Sequence, residues 1–383
     1  MLAKRISRGL ERHRSGRGSD RATGRDLSAQ QPRILFFNIN GNGMGHLSRC
    51  LAYARRMQGR ARPVFFSLAS AIEIIHDMGF EGDYFVSPFW SRSHTNAWNR
   101  ELALRVGLML EEVRPAAVVF DGTWPFAGFM FACSQYGVPV RVWSNRGLHK
   151  KDFHPIPVKE SAFDLVIQPG ELGAEFAIER AKRPGRKVTT PPVTLLKRDE
   201  LLDRDEARDR LGLKRDGRYV LFSLGPGNLK DVSDIGRGLL EEMRGRGLTV
   251  VWARAPISVR DVPLPDDVQT ISVYPLARYL RAFDVFVSAG GYNACCEIVQ
   301  SGLPSLLVPN TMVADDQARR ADLVSRHASV VVSSCETPEE RREAVVRLLE
   351  LTDTAQDRPG IDLDGADRAV DEILALVAQK AAL

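Results

Sequence analysis

Long apolar runs and cysteine pairs are both missing from this sequence. No stretch of the 383 residues approaches the roughly 18 apolar residues that a membrane-spanning helix needs, so we predict no transmembrane segment. The basic N-terminus is not followed by an apolar segment, which argues against a secretory signal. The five cysteines form no CxxC pair and no zinc-like spacing, and they fit reduced thiols inside a cell. We therefore expect a cytoplasmic protein, either free or peripheral at the inner face of the membrane.

The positive charge of the chain is concentrated in one short segment. The net charge is +5, and residues 1–32 carry eight Lys and Arg against three acidic residues, so this segment alone accounts for the excess. Its composition is typical of disorder. The rest of the chain is balanced in charge, so we expect no nucleic-acid partner. The length and an apolar content of 44% are sufficient for two domains.

The most informative stretch covers residues 283–317. It begins with an apolar strand, followed by the glycine pair Gly290-Gly291 and a helix predicted over Tyr292 to Ser301. A second apolar strand and a helix starting near Ala314 complete it. Strand, glycine turn, helix and strand form half of a doubly wound sheet, in which ligands bind at the carboxyl ends of the strands.

Polar groups in this stretch are placed to bind an anion and a sugar. A glycine pair at a helix start lets backbone N–H groups approach a phosphate, and the helix dipole favours negative charge there. Glu297, in the second turn of the helix, could accept hydrogen bonds from a ribose diol. Asp316 and Gln317, at the next helix start, could bond sugar hydroxyls. Taken singly, these residues would instead favour a helix turn with a solvated Glu and an Asp helix cap.

Together these residues resemble the donor-binding half of the GT-B glycosyltransferases, in particular the MurG-like branch of family 28 type. That branch has a glycine pair, a helix carrying Glu, a G-L-P segment, an apolar strand ending in Pro, and an acid followed by Gln. The matching residues are Gly290-Gly291, Glu297, Gly302-Leu303-Pro304, Leu306 to Pro309 and Asp316-Gln317. The resemblance implies two Rossmann-like domains facing a cleft, with a nucleotide-sugar donor held mainly by the second.

A second glycine-rich loop follows the first predicted strand, residues 33–39. Its G-x-G-x-G spacing differs from the dinucleotide fingerprint, and the next strand lacks the terminal acid that would hold a ribose, so we reject NAD binding. The run Gly43 to Arg49, G-x-G-H-x-x-R, instead resembles the first loop of MurG-like transferases and of related nucleotide-sugar hydrolases. The resemblance implies that Gly43 and Gly45 lie near the donor and that His46 faces the cleft as a candidate base.

Two charged residues near His46 have open interpretations. Asp121 follows a predicted strand, residues 116–120, at the same carboxyl edge as His46. It either orients the base, as an Asp does in plant-type GT-B enzymes, or forms an Asp-Gly turn. Arg49, almost one helical turn after His46, either meets a phosphate or covers the helix surface.

The second sheet is predicted to begin with a strand over residues 219–224. Gly225 and Gly227 follow it, and this loop resembles the one that meets the donor phosphates in MurG-like proteins. Tyr274 lies where that family places a nucleobase contact. The polar stretch 180–193 suits an inter-domain linker. We predict four parts: a tail (1–32), an acceptor-side domain (33–190), a donor-binding domain (191–362) and a final helix that packs back on the first domain (363–383).

The sequence thus predicts an α/β protein with two doubly wound Rossmann-like domains, the GT-B architecture. The resemblance implies a metal-independent, inverting glycosyltransferase that moves a hexosyl or N-acetylhexosaminyl group from a nucleotide diphosphate, expected to be UDP, to a hydroxyl of a lipid-linked, glycan or natural-product acceptor. No cofactor and no metal ligand are predicted. Two alternatives stay open: a hydrolase in which His46 activates water, and a non-catalytic nucleotide-sugar-binding protein.

Overall fold

The computed structural model describes residues 31–39, 43–145, 148, 157–172, 186–225, 233–258, 263–310, 315–353 and 361–383. The predictions for the basic tail and for Gly227 lie outside the described residues.

The N-terminal half is built on a parallel sheet of seven strands. These are β1 (Arg33–Asn38), β2 (Arg62–Ser67), β3 (Glu81–Tyr84), β4 (Ala117–Asp121), β5 (Val140–Ser144), β6 (Leu165–Pro169) and β7 (Arg186–Thr190). Their order is β3-β2-β1-β4-β5-β6-β7, with every neighbouring pair parallel. The order reverses between β1 and β4, where Asn38 lies opposite Asp121. Such a switch point is where doubly wound sheets form a ligand crevice.

The C-terminal half repeats this arrangement with six parallel strands. These are β8 (Tyr219–Ser223), β9 (Thr249–Ala253), β10 (Gln269–Ile271), β11 (Val285–Ser288), β12 (Ser305–Leu307) and β13 (Val330–Val332). Their order is β10-β9-β8-β11-β12-β13, so the second switch point lies between β8 and β11, where Ser223 pairs with Ser288. The predicted fold class of two doubly wound sheets is confirmed.

Helices cover both faces of each sheet. In the N-terminal half they are α1 (Gly45–Met57), α2 (Ile72–Asp77), α3 (Pro88–Ser91), α4 (Thr95–Val113) and α5 (Ala127–Gln135). In the remainder of the described chain they are α6 (Arg204–Leu211), α7 (Ser233–Arg244), α8 (Tyr292–Ser301), α9 (Gln317–Ser325), α10 (Pro338–Asp353) and α11 (Gly365–Ala381). Three 3-10 helices, Pro157–Ala162, Arg198–Glu200 and Leu276–Ala282, join these elements.

Alternate strand residues build separate cores on the two faces of each sheet. In β1, Phe36 packs in the core beneath α1, whereas Phe37 packs in the core beneath α4 and α5. In β8, Leu221 packs with residues of α6 and α8, and Phe222 packs with residues of α7 and α10. Because both faces are buried, these strands are continuous apolar runs in the sequence.

The last helix, α11, returns to the N-terminal half. Its buried residues share a core with α1 and with strands β5 and β6; they are Ala366, Ala369, Val370, Ile373 and Val377. An added Cβ at Gly365 would lie 1.9 Å from the carbonyl oxygen of Pro191, so no larger residue fits where this helix begins. The N-terminal half is therefore completed by residues that follow the second sheet.

One strand lies within the stretch predicted as a linker. Within residues 180–193, β7 pairs in parallel with β6, from Arg186 beside Leu165 to Thr190 beside Pro169. The strand is at the edge of the sheet, and only Val188 and Thr190 are buried in it. An edge strand with one solvated face needs no continuous apolar run, and for this reason the prediction missed it.

None of the helices in the described ranges combines the length and apolar content needed to cross a bilayer. All five cysteines are buried free thiols.

Candidate active site

The glycine-rich first loop and Asp121 meet at the switch point of the first sheet. β1 ends at Asn38, and α1 begins at Gly45, so His46 is the second residue of that helix. Asp121 ends the neighbouring strand β4. An added Cβ at Gly43 or at Gly45 would meet no atom within 4 Å. The helix start therefore leaves room for a ligand beside His46.

His46 and Asp121 form a hydrogen-bonded pair. Nδ1 of His46 lies 2.7 Å from Oδ1 of Asp121. Because a carboxylate only accepts hydrogen bonds, Nδ1 carries the proton, and Nε2 is the nitrogen that can take one up. The side chain of His46 is 13% exposed and that of Asp121 is 0% exposed. The imidazole can thus meet a ligand while the carboxylate orients it from the interior.

Arg49 is buried beside this pair. Its Nε and Nη2 donate to the two carboxylate oxygens of Asp121 at 2.6 and 2.5 Å, and its side chain is 2% exposed. Burial alone would raise the pKa of Asp121, but the Arg49 guanidinium and the hydrogen bond from His46 hold that pKa below its usual value. Asp121 therefore stays ionised. Of the two interpretations left open for Arg49, a place on the helix surface is wrong, because its charge pairs with Asp121 in the interior.

The predicted donor turn lies at the switch point of the second sheet. β11 ends at Ser288, and Gly291 is the residue that precedes α8. An added Cβ at Gly290 would come within 3.0 Å of the carbonyl oxygen of Gln317, so this position is tight even for alanine. Gly225, after the neighbouring strand β8, has φ of +94°, in the left-handed region that favours glycine. Both glycine turns lie at one sheet edge beside the N-terminus of α8, which suits an anion.

Glu297 of α8 faces the N-terminal half across a narrow cleft. The cleft is lined by Ser48, Arg49, Val193, Thr194, Leu195, Asn293 and Glu297. Burial raises the pKa of Glu297 to about 8, because a desolvated carboxylate is disfavoured. The raised pKa favours the protonated form of the Glu297 carboxyl group.

Three other predicted donor contacts have partners within the protein. The hydroxyl of Tyr274 lies 2.8 Å from Oγ of Ser48 in the N-terminal half. The side chain of Asp316 caps α9, as the helix-cap interpretation expected, and the helix starts at Gln317 instead of near 314. Oε1 of Gln317 accepts the backbone N–H of Asn310 at 2.9 Å. Contact of these residues with a donor stays a prediction.

The carboxylates at the start of α9 form hydrogen bonds to other groups of the protein. Asp315 binds Arg320 at 2.7 Å, and Asp316 serves as the cap described above. Within the described residues, no cluster of three or more His, Cys, Asp or Glu side chains is arranged to hold a metal ion.

Sequence reasoning missed a buried cluster beside the donor turn. Tyr292, the first residue of α8, donates to the carbonyl of Gly170 at 3.0 Å. Arg320 of α9 donates to Glu171 at 2.8 and 2.9 Å. Both contacts join the two halves over more than 100 positions of sequence, so no local pattern signals them. A Tyr directly after a glycine pair is the one visible hint.

Part of the C-terminal half matches a known family, and much of the chain aligns with curated relatives. Residues 255–360 match the glycosyltransferase family 28 C-terminal domain. A relative from Halalkalibacterium halodurans is 24% identical over 352 residues, covering 84% of this chain and 91% of the relative. Another from Carboxydothermus hydrogenoformans is 23% identical over 248 residues, covering 62% and 65%, so the match spans just under two thirds of that relative. Both are named UDP-N-acetylglucosamine--N-acetylmuramyl-(pentapeptide) pyrophosphoryl-undecaprenol N-acetylglucosamine transferase.

Solved structures share the fold over nearly the whole chain. CalG4, the calicheamicin glycosyltransferase, has a TM-score of 0.59 at 20% identity, covering 92% of this chain and 100% of that chain. MurG of Acinetobacter baumannii has a TM-score of 0.52 at 12% identity, covering 91% and 99%. The UDP-GlcNAc 2-epimerase of Neisseria meningitidis has a TM-score of 0.61 at 11% identity, covering 90% and 99%. The two switch-point sheets and these neighbours show the GT-B fold of glycosyltransferases, and the family match identifies residues 255–360 as a glycosyltransferase family 28 C-terminal domain.

Proposed function

We propose that the protein transfers a sugar from a nucleoside diphosphate to a hydroxyl acceptor, with His46 as the base. The observation that carries the proposal is the His46–Asp121 pair at the carboxyl edge of the first sheet. Nε2 takes the proton of the acceptor hydroxyl while the oxygen of that hydroxyl forms a bond to the anomeric carbon of the donor sugar. The bond to the nucleoside diphosphate breaks, and that group leaves with the electron pair. Asp121 holds the ring and stabilises the imidazolium that forms.

The donor lies against the C-terminal half in this proposal. The glycine turn of Gly290-Gly291 and the N-terminus of α8 face the diphosphate, and Glu297 faces the ribose. Attack from the N-terminal half, opposite the leaving group, inverts the anomeric carbon. The relatives' names contain UDP-N-acetylglucosamine, so we propose a UDP-sugar that carries a hexosyl or N-acetylhexosaminyl group.

The proposed reaction needs no metal ion, because helix N-termini and backbone N–H groups stabilise the leaving diphosphate. We therefore expect turnover to be essentially unchanged in EDTA. The measurement is nucleoside diphosphate release before and after chelation. Loss of activity that Mg²⁺ or Mn²⁺ restores would contradict this mechanism.

For the acceptor we propose a lipid-linked hydroxyl, presented to the N-terminal half at the inner face of a membrane. The relatives' names include a pyrophosphoryl-undecaprenol acceptor. Large apolar side chains are exposed on this half, Phe89 and Trp90 on α3 and Leu104 and Leu108 on α4. Leu104 and Leu108 are four residues apart and share one helix face. These side chains support peripheral contact with lipid.

The test is a panel of nucleotide sugars with release of nucleoside diphosphate as the readout, for the parent and for His46→Asn. Asparagine keeps a polar group beside Asp121 but takes no proton near neutral pH. We expect kcat to fall by about 10²–10⁴-fold while the dissociation constant of the nucleoside diphosphate, measured by calorimetry, stays nearly unchanged. His94→Asn is the matched control, because His94 is an exposed helix-capping histidine.

Each outcome assigns a function. Release that depends on an added acceptor supports the transferase. Release without any acceptor, still dependent on His46, supports the hydrolase in which His46 activates water. Binding without release supports a nucleotide-sugar-binding protein. A His46→Asn variant with the parent rate removes His46 as the base.

A further inference from the structure

A buried arginine joins the two halves beside the donor turn. Arg320 of α9 is 1% exposed. It donates two hydrogen bonds to Glu171, two to Asp315 and one to the carbonyl of Gly290, at 2.7–3.2 Å. These bonds can use all five N–H groups of the guanidinium. Glu171 follows β6 in the N-terminal half, whereas Gly290 belongs to the donor turn, so one side chain fixes both.

Tyr292 makes a second connection at the same place. Its hydroxyl donates to the carbonyl of Gly170 at 3.0 Å and accepts the backbone N–H of Val193 at 2.9 Å. The guanidinium carbon of Arg320 lies 5.8 Å from the centre of the Tyr292 ring, and that of Arg49 lies 6.0 Å from it. Because Arg49 also binds Asp121, a continuous set of contacts runs from the donor turn to the candidate base.

We propose that Arg320, held by Glu171, is a positioning residue that sets the Gly290-Gly291 turn relative to His46. The proposal rests on the proposed function and deepens it. Base and donor belong to different halves, and a misplacement of about 1 Å between reacting groups can cost about 10²-fold in rate. Bidentate hydrogen bonds from an arginine guanidinium to a carboxylate fix orientation as well as distance, whereas a lysine ammonium acts as a point charge.

The test is Arg320→Lys, which keeps a positive charge between Glu171 and Asp315 but loses the planar guanidinium and its paired N–H donors. We expect kcat to fall by about 10–100-fold, with nucleoside diphosphate affinity within about threefold of the parent, because the donor contacts lie in the C-terminal half. Arg208→Lys is the matched control. Arg208 is also 1% exposed, and its bonds to Ala282, Arg215 and Asp284 all stay within the C-terminal half.

We expect Arg208→Lys to lower the melting temperature but to leave kcat per folded molecule near the parent value. A merely structural Arg320 would give the same pattern as Arg208. Arg320→Lys with kcat within about twofold of the parent, or with kcat and affinity both as in Arg208→Lys, would overturn the proposal.

A distance measurement separates this proposal from the proposed function. Spin labels at Glu111→Cys on α4 and Arg347→Cys on α10, both exposed, report the placement of one half against the other. We expect a broader distance distribution in Arg320→Lys than in the parent or in Arg208→Lys. If the parent turns over no nucleotide sugar but the distribution broadens, the positioning role stands and the proposed function fails. An unchanged distribution counts against the positioning role whatever the activity.

Discussion

Asp121 carries a full negative charge with no exposed surface. The charge is tolerated because Arg49 donates to both carboxylate oxygens and His46 adds a third bond. Removing one member of a buried pair leaves the other charge uncompensated, which is far more costly than losing a surface pair. Asp121 therefore determines both the stability of the first sheet edge and the orientation of the candidate base.

Asp121→Asn should lower the free energy of unfolding by about 3–5 kcal/mol at neutral pH, since the guanidinium of Arg49 loses its counter-charge. The measurement is urea denaturation of the parent and the variant. Asp83→Asn is the control: Asp83 pairs with Arg105, and the two side chains are 43% and 38% exposed, so its loss should cost at most about 1 kcal/mol. Equal losses in the two variants would contradict the burial argument.

The pH dependence of unfolding in the parent and in Asp121→Asn tests whether Asp121 is ionised. The pKa of Asp121 is depressed in the folded state, so its stabilising contribution is present above the unfolded pKa of about 3.9 and is lost as pH falls through the folded value. The gap in unfolding free energy between parent and Asp121→Asn should therefore be constant above about pH 5 and narrow in more acidic solution. A gap that widens towards acid would contradict an ionised Asp121.

At this scale the sequence predicted which residues meet but not how they pair. His46 follows β1 and Asp121 ends β4, so the parallel topology places them at one edge. The partner of Arg49 depends on which way its side chain turns from α1, and sequence spacing carries no such information. The Glu171–Arg320 pair spans 149 positions and lies between separate halves, so it becomes visible only when both sheets are in place.

Helix α8 brings a carboxyl group into the cleft between the halves. Because the pKa of Glu297 is raised to about 8, the folded protein binds a proton there more tightly than the unfolded chain, whose Glu titrates near 4.3. Stability should therefore fall as pH rises through the window between these values. This window covers the neutral range.

Glu297→Gln should remove that pH dependence. Near pH 4 we expect parent and variant to unfold at similar free energies, and near pH 9 we expect the variant to be more stable by on the order of 1–3 kcal/mol. Urea denaturation across this range is the measurement. Glu73→Gln, at an exposed position of α2, is the control, and its difference in unfolding free energy from the parent should not grow with pH. A constant difference across the range would show that Glu297 does not titrate there.

Elements differed in how well the sequence predicted them. β1, β4, β8 and β11 are buried on both faces and were found from their apolar runs, as was α8 from its flanking glycines. The sequence of β7, RKVTT, has the mixed polarity of an edge strand, and for this reason the pattern predicts a linker there. Element boundaries near glycine and proline were most accurate where a cap fixes them, as Gly302 does at the end of α8.

At the scale of the whole molecule, α11 connects the two halves. It follows the second sheet in the chain but packs in the core of the N-terminal half. Ile373→Ala on this helix should destabilise the N-terminal half by about 2–5 kcal/mol, the cost of a core cavity. Leu383→Ala is the control, since Leu383 is 97% exposed and its loss should change stability by less than about 0.5 kcal/mol.

Tryptophan fluorescence suits this measurement. Four of the five tryptophans, Trp90, Trp98, Trp124 and Trp143, belong to the N-terminal half, and Trp252 belongs to the C-terminal half. We expect the transition seen by fluorescence to shift in Ile373→Ala although the substitution is far along the chain from all four. A fluorescence transition that matches the parent would contradict the packing of α11 on this half.

The return of α11 also sets an order of events during translation. At about 5–20 residues per second, roughly 10–35 s pass between synthesis of the last strand of the first sheet and synthesis of the final helix. Throughout that interval the half made first lacks part of its own core, while the half made second can already be complete. A chain that ends before α11 would keep the strands of the second sheet and lose part of the core of the first. Folding of the N-terminal half thus depends on the ribosome having passed α11, more than 150 residues beyond the last strand of the first sheet.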